Sequence, residues 1–367
     1  MTQIPTVTKA GSLDRPIANS YSSGRLGDGM PWLILGGSAV VSAVVFVLLQ
    51  VGGVTEEFNI SGAVLLTLVI YGVSLYIASR LVEGSRRAVD RLVTTLVVTA
   101  FVIALLPLIS VAFTVVTNGS ARFDIQFLTY SMRNVVGEGG GALHAVIGTV
   151  LMTGAATLIS VPIGLLASIY LVEYGRGRLA QAITFFVDVM TGIPSIVAGL
   201  FAYAVFALIF GPGVKLGIAG AVALSVLMIP VVVRSSEEML RLVPNELREA
   251  AFALGVPRWL TILKVVIPTS IAGITTGVML AIARVIGETA PLLVAAGFTN
   301  NMNYDLFDGR MQSLPVFVYS SYVSQGIEAQ ASLDRAWAGA LTLIIIVMLL
   351  NLIARLIARI FAPKLGR

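Results

Sequence analysis

The sequence predicts an all-α polytopic membrane protein, a helical bundle of eight spans. Hydrophobic residues make up 57% of the 367 and charged residues only 12%, too few polar groups to cover a water-soluble globule. Apolar runs near the length that crosses about 30 Å of hydrocarbon fall at about 32–54, 60–79, 92–117, 143–171, 183–210, 217–233, 271–297 and 336–361. Alternating them across a bilayer with the N-terminus inside leaves only Arg122, Arg133, Lys215, Arg310 and Arg335 outside and Arg284 within a span. The rest of the 24 Lys and Arg lie inside, as the positive-inside rule requires of an N-in, C-in chain. The pI of about 9.6 therefore reports loop orientation rather than affinity for nucleic acid.

Taken in order, residues 1–31 are polar and carry Ser, Gly and Pro, and are expected to form a disordered cytoplasmic tail. The run that follows starts too far in and is too long for a secretory signal, so it reads as a retained span. Spans 1 and 2 (32–79) make a hairpin around the acidic turn Glu56-Glu57, without intramembrane charge, and read as an accessory pair. The basic segment RLVEGSRRAVDR (80–91) is expected to link it, on the cytoplasmic side, to a six-span core over 92–367. His144, at the outer start of span 4, reads as structural. In span 5, Asp188 is expected to pair with Arg176 or Arg178 at the interface, while Gly192, Pro194 and Gly199 of TGIPSIVAG suit a kink and close helix packing. Asn118-Gly119-Ser120 fits a glycosylation acceptor that chance explains better. No period of 20–50 residues repeats.

Catalytic chemistry has little material. The chain has no cysteine and one histidine, which removes thiolate nucleophiles, disulfides and most metal sites. Nor does it carry a G-x-x-x-x-G-K-[ST] phosphate cradle, so it is not its own ATPase of that type. An intramembrane enzyme acting on lipid would need clustered His, Asp or Glu near one interface, and a scaffold role would rest on the accessory pair alone.

Two stretches depart from plain membrane sequence. In AIARVIGETAPLLVAAG (281–297), Arg284 and Glu288 each cost roughly 2.5–3.5 kcal/mol at a bilayer centre. Their i, i+4 spacing puts them on one face of a helix, with Thr276 two four-residue steps back and Leu280 between. Two readings stand: a buried ion pair that locks two helices, or an anion path in which the Arg284 guanidinium offers a fork of donors and Glu288 offsets its charge so that the anion is released. The second stretch is cytoplasmic, EAAFALGVPRWLTILKVVIP (249–268). With Asn245 as N-cap, Leu247, Ala250, Ala251 and Leu254 fall at i, i+3, i+4 and i+7, while Glu246, Arg248 and Glu249 face elsewhere. Gly255 supplies a residue able to adopt φ > 0, and Pro257 suits the first turn of a second helix leading into span 7. The result is an elbow over 237–268, joined directly to a membrane span.

Glu249-Ala250-Ala251, Gly255 after three residues and Val265-Val266-Ile267-Pro268 after nine more resemble the EAA loop of ABC importer permeases, with Val265 and Ile267 as conservative departures. GGALHAVIGTVLMTGAATLISVPIGLLASIYLVEYGRG, TGIPSIVAGL, ARVIGETAPLL, SLPVFVY and WAGALTLIIIVMLLNLIARLIAR narrow the likeness, over 92–367, to the phosphate-uptake members of that family. The resemblance implies a type I importer core of six spans in the bacterial inner membrane. It implies a coupling role for Leu247, Glu249, Ala250, Ala251, Leu254, Gly255 and Pro268, and as partners a second permease subunit, an ATPase dimer that uses ATP and Mg, and an extracytoplasmic phosphate-binding protein. Another oxyanion, molybdate or sulfate, is the alternative cargo. The likeness says nothing about spans 1 and 2. Physical chemistry agrees on the need for a driven partner, since drawing an anion inward against an interior-negative potential costs about 2.3 kcal/mol per charge per 100 mV.

Overall fold

The computed structural model describes residues 26–53 and 58–361. The expectations for residues 1–25, for Glu56-Glu57 and for the last basic residues Lys364 and Arg367 lie outside the described residues. The chain divides into two compact units, Met1–Ala112 and Phe113–Arg367. Among the described residues seven helices are long and apolar enough to cross a membrane, or eight when one bent pair is counted as a single span.

In the first unit, α1 (Met30–Val51) opens with Pro31 in its first turn, where a missing N–H costs nothing. Asn59 caps α2 (Ile60–Val82), its Oδ1 accepting from the Gly62 N–H at 2.8 Å. Across the hairpin the Ser42 hydroxyl donates to the Ala63 carbonyl at 2.6 Å, a polar contact of the kind that joins helices where the hydrophobic effect is absent. The segment 80–91 is largely helical. α2 runs to Val82 and α3 (Ser85–Gly119) starts at Ser85, leaving a turn of two residues. At that turn Glu83 is buried and saturated: it accepts from the Leu26 N–H (3.0 Å), the Ser79 hydroxyl (2.8 Å) and Arg91 Nε and Nη2 (2.7 and 2.9 Å). The Arg91 guanidinium holds the Glu83 carboxyl down to about 2, with burial opposing and the Ser79 and Leu26 bonds assisting.

The second unit is organised around α8 (Gly217–Arg241), which the sequence reads as one span among several. Two thirds of its apolar window, 67%, is buried inside the chain, against 22% for α5 (Leu143–Ile169) and 28% for the span that ends in α11 (Ile267–Val285). Small residues allow this: Gly220, Ala221, Ala223 and Ser225 let neighbours close on α8. Met152 and Ala156 of α5, Leu224 and Met228 of α8, and Ala281 and Val285 of α11 form the central cluster. His144 is buried at the start of α5, its Nε2 3.2 Å from Gln312 Oε1 and its ring edge-on to Phe317, in keeping with a structural role.

Two expected spans are broken. The run 183–210 is α6 (Arg178–Gly192) and α7 (Ser195–Phe210), bent by 110°. Pro194 forces the break, because its ring disfavours a helical Ile193, which is extended at φ −72°, ψ 127°. The run 271–297 is α11, a gap at 286–289, and α12 (Ala290–Ala295). In an unbroken helix Pro291 would leave the Gly287 carbonyl without a donor and press against it. α12 lies against α7 at Gly199, where a Cβ would come within 2.5 Å of Pro291 Cα, so close packing is what Gly199 permits.

Candidate coupling elbow and substrate path

α9 (Asn245–Ala253) and α10 (Arg258–Thr261) form the expected elbow. The N-cap is Pro244, so Asn245 is the first helical residue and its Oδ1 accepts from Arg248 Nη1 (3.3 Å) rather than capping. At the other end the turn is a Schellman motif: Gly255 takes φ +76°, its N–H donates to Phe252 O (2.9 Å), and the Val256 N–H donates to Ala251 O (3.1 Å). Pro257 is the N-cap of α10 rather than its first helical residue.

The predicted apolar face divides. Ala251 is buried, whereas Leu247, Glu249, Ala250 and Leu254 are exposed, Leu254 to 84%; Pro268, in the first turn of α11, is also exposed. Phe252 and Trp259 are exposed as well. Exposed apolar side chains thus share this segment with the exposed charges of Glu246, Glu249 and Arg258.

What fixes the elbow is Arg248. Its Nε and Nη2 reach Glu173 Oε1 at 3.0 and 2.8 Å, Nη2 also donates to Leu240 O (3.0 Å), and Nη1 donates to Val243 O (2.6 Å). Glu173 lies in a π-helical turn, Tyr170–Tyr174, that extends α5, and a second π turn, Ile262–Val266, joins α10 to α11. Beneath them Leu240, Val243, Val266 and Ile274 pack with Leu165, Ile169 and Val172. Arg258 stacks 5.1 Å over the Tyr174 ring. The elbow is thereby tied to α5, α8 and α11 together. Neither Glu173 nor the anchoring role of Arg248 is apparent in the sequence. A carboxylate at the end of an apolar run calls for a cationic partner, but the run does not say which.

The other charged cluster also differs from expectation. Asp188 pairs with Arg234 of α8, not with Arg176 or Arg178, and Arg234 and Arg241 both reach Glu237 (3.1 and 2.6 Å). Ten residues of helix separate Asp188 from Arg178 by about 15 Å, whereas α8 lies alongside α6.

Arg284 and Glu288 do not share a helical face. Arg284 is in the last turn of α11, while Glu288 is in the gap beyond it, its N–H donating to Val285 O (3.1 Å), and no ion pair joins the two among the described residues. Thr276, Leu280 and Arg284 do form one exposed stripe along α11, and the Thr276 hydroxyl donates back to Ala272 O (2.9 Å). This chain leaves that stripe uncovered, and its one cation is Arg284.

Comparison with known proteins agrees with this architecture. Residues 160–367 match the family described as binding-protein-dependent transport system inner membrane component. The chain is 46% identical over 275 residues to "Phosphate transport system permease protein PstA 1" of Mycobacterium tuberculosis (strain ATCC 25618 / H37Rv), covering 74% of this chain and 88% of that protein. It is 42% identical over 282 residues to PstA of Pasteurella multocida (strain Pm70), covering 76% and 96%. Among solved structures it resembles a bacterial alginate ABC transporter in complex with its alginate pentasaccharide-bound periplasmic protein (TM-score 0.53, 14% identity, 78% of this chain and 100% of that chain). It also resembles the inward-facing MetNI methionine ABC transporter (TM-score 0.50, 21% identity, 60% and 96%).

Proposed function

This chain belongs to the PstA family of binding-protein-dependent inner-membrane permeases and is a permease subunit of a phosphate ABC importer, and from that premise we propose how it couples to its partners. It forms half of a pore with a second permease subunit. An extracytoplasmic phosphate-binding protein delivers the cargo, and a separate ATPase dimer that uses ATP and Mg docks on the elbow. Both ends of the chain lie on the cytoplasmic side.

The observation that carries the coupling reading is the elbow: an exposed apolar face at Leu247, Ala250 and Leu254, a Schellman turn at Gly255, and a buried anchor from Arg248 to Glu173. A push on α9 has a stiff route into the bundle. On the same reading the stripe Thr276–Leu280–Arg284 faces the second permease, and Arg284 is the cation that phosphate meets. Gly255→Val tests the coupling. A β-branched residue at φ +76° costs about 1–2 kcal/mol, so phosphate uptake is expected to fall about tenfold with the amount of membrane-inserted chain unchanged. Uptake at the normal rate in that variant overturns the assignment.

A further inference from the structure

The first unit lies outside the matched residues 160–367, yet it carries two adjoining cavities of opposite character. One, about 530 Å³, is lined by Glu83, Arg87, Asp90 and Arg91 at the turn between α2 and α3. The other, about 190 Å³, is a cleft lined by Tyr71, Leu75, Arg91, Thr94, Thr95 and Val98. Arg91 borders both, so a polar chamber lies next to a slot whose exposed surface is largely apolar. That is the outline of an amphiphile.

The charges in the polar chamber select among amphiphiles. Glu83 and Arg91 neutralise each other, and the remaining acceptor capacity of Glu83 is taken by Ser79 and Leu26. What is left is Arg87 and Asp90, both exposed, spaced i, i+3, with no ion pair joining them among the described residues. Leu81, Val89 and Val93 are exposed beside them, which sets this turn at the edge of the hydrocarbon. We propose that the chamber and the slot together bind one aminophospholipid, its phosphodiester on Arg87, its ammonium on Asp90 and an acyl chain along Leu75 and Val98. The head group is net neutral and satisfies both residues. A purely anionic head group would face the Asp90 carboxylate, and a choline head group has no N–H to give it.

The full-length chain in nanodiscs of phosphatidylcholine with a minor fraction of phosphatidylethanolamine or phosphatidylglycerol provides the test, with retained lipid counted by native mass spectrometry after partial delipidation. Phosphatidylethanolamine is expected to be held about fivefold over phosphatidylcholine, the worth of one such charge contact at a membrane surface. Arg87→Gln and Asp90→Asn should each abolish the preference, Arg87→Lys should keep it, and Val98→Trp should weaken retention by filling the slot while leaving both charges in place. Arg178→Gln, on the other unit, should change nothing. The proposal is overturned if phosphatidylethanolamine is held no better than phosphatidylcholine, if phosphatidylglycerol is held better than either, if Asp90→Asn leaves the preference intact, or if inorganic phosphate displaces the lipid.

Discussion

At Arg248 the donors of one guanidinium meet a carboxylate, two carbonyls at the end of α8 and the side chain of Asn245. The side chains of Arg248 and Glu173 are 12% and 5% exposed, so neither charge has water to fall back on. Removing one partner of such a pair costs about 3–5 kcal/mol. Glu173→Ala is therefore expected to lower the melting temperature of the purified chain and its phosphate uptake together, with Glu173→Gln intermediate because it keeps an acceptor. An unchanged melt would show the pair to be idle. Glu83 makes a pH-dependent counterpart. Its carboxyl is held from 4.5 down to about 2 by Arg91, so its contribution to stability is complete above about pH 4.5 and is lost as pH falls through about 2. Amide exchange at Leu26, whose N–H donates to Glu83, should accelerate over that window, and Glu83→Gln should abolish the pH dependence. The sequence names neither pair, and the two differ in how far apart the chain sets their partners. Glu83 and Arg91 are eight residues apart in a segment already read as basic, whereas Glu173 and Arg248 are 75 apart and only the packing of α5 against α8 unites them.

At the scale of elements, apolar length located the helices, and punctuation decided where they stopped. Gly287 and Pro291, four apart, are the sequence signal that α11 cannot continue to Glu288; counting the run 271–297 as one apolar span passed over it. The same holds for Pro194, whose consequence is a 110° bend rather than a kink. The amphipathic α9 was legible from its spacing and Gly255 from its place after the last apolar position, because both are local properties. The corrected geometry sharpens the expectation for Arg284. It has no ion-pair partner among the described residues and lies at the end of an exposed stripe, so Arg284→Gln should reduce phosphate uptake about ten- to a hundredfold, the worth of a charge-assisted hydrogen bond. Exchanging the charges, Arg284→Glu with Glu288→Arg, should not restore it, since Glu288 is off the helix. Full uptake by the exchanged protein, assembled normally, would remove Arg284 from the pathway.

For the whole molecule, the distribution of Lys and Arg predicts an orientation with both ends inside, and the absence of cysteine from the sequence makes that prediction measurable. Leu247→Cys on the elbow should react with a membrane-impermeant maleimide only from the cytoplasmic side, and Glu138→Cys, ahead of α5, only from outside. The opposite pattern would invert the chain and displace the coupling reading with it. The bend between α6 and α7 has a consequence of a different kind. α7 has 16 residues, so it offers about 24 Å of apolar height where the hydrocarbon is about 30 Å thick. α7 alone therefore falls about 6 Å short of a crossing, and the shortfall is met by α6 beyond the bend or by a bilayer that thins around α7. Hydrophobic mismatch thus bears on the helix that Gly199 holds against α12, and through it the acyl length of the surrounding lipid bears on the packing of α7 against α12.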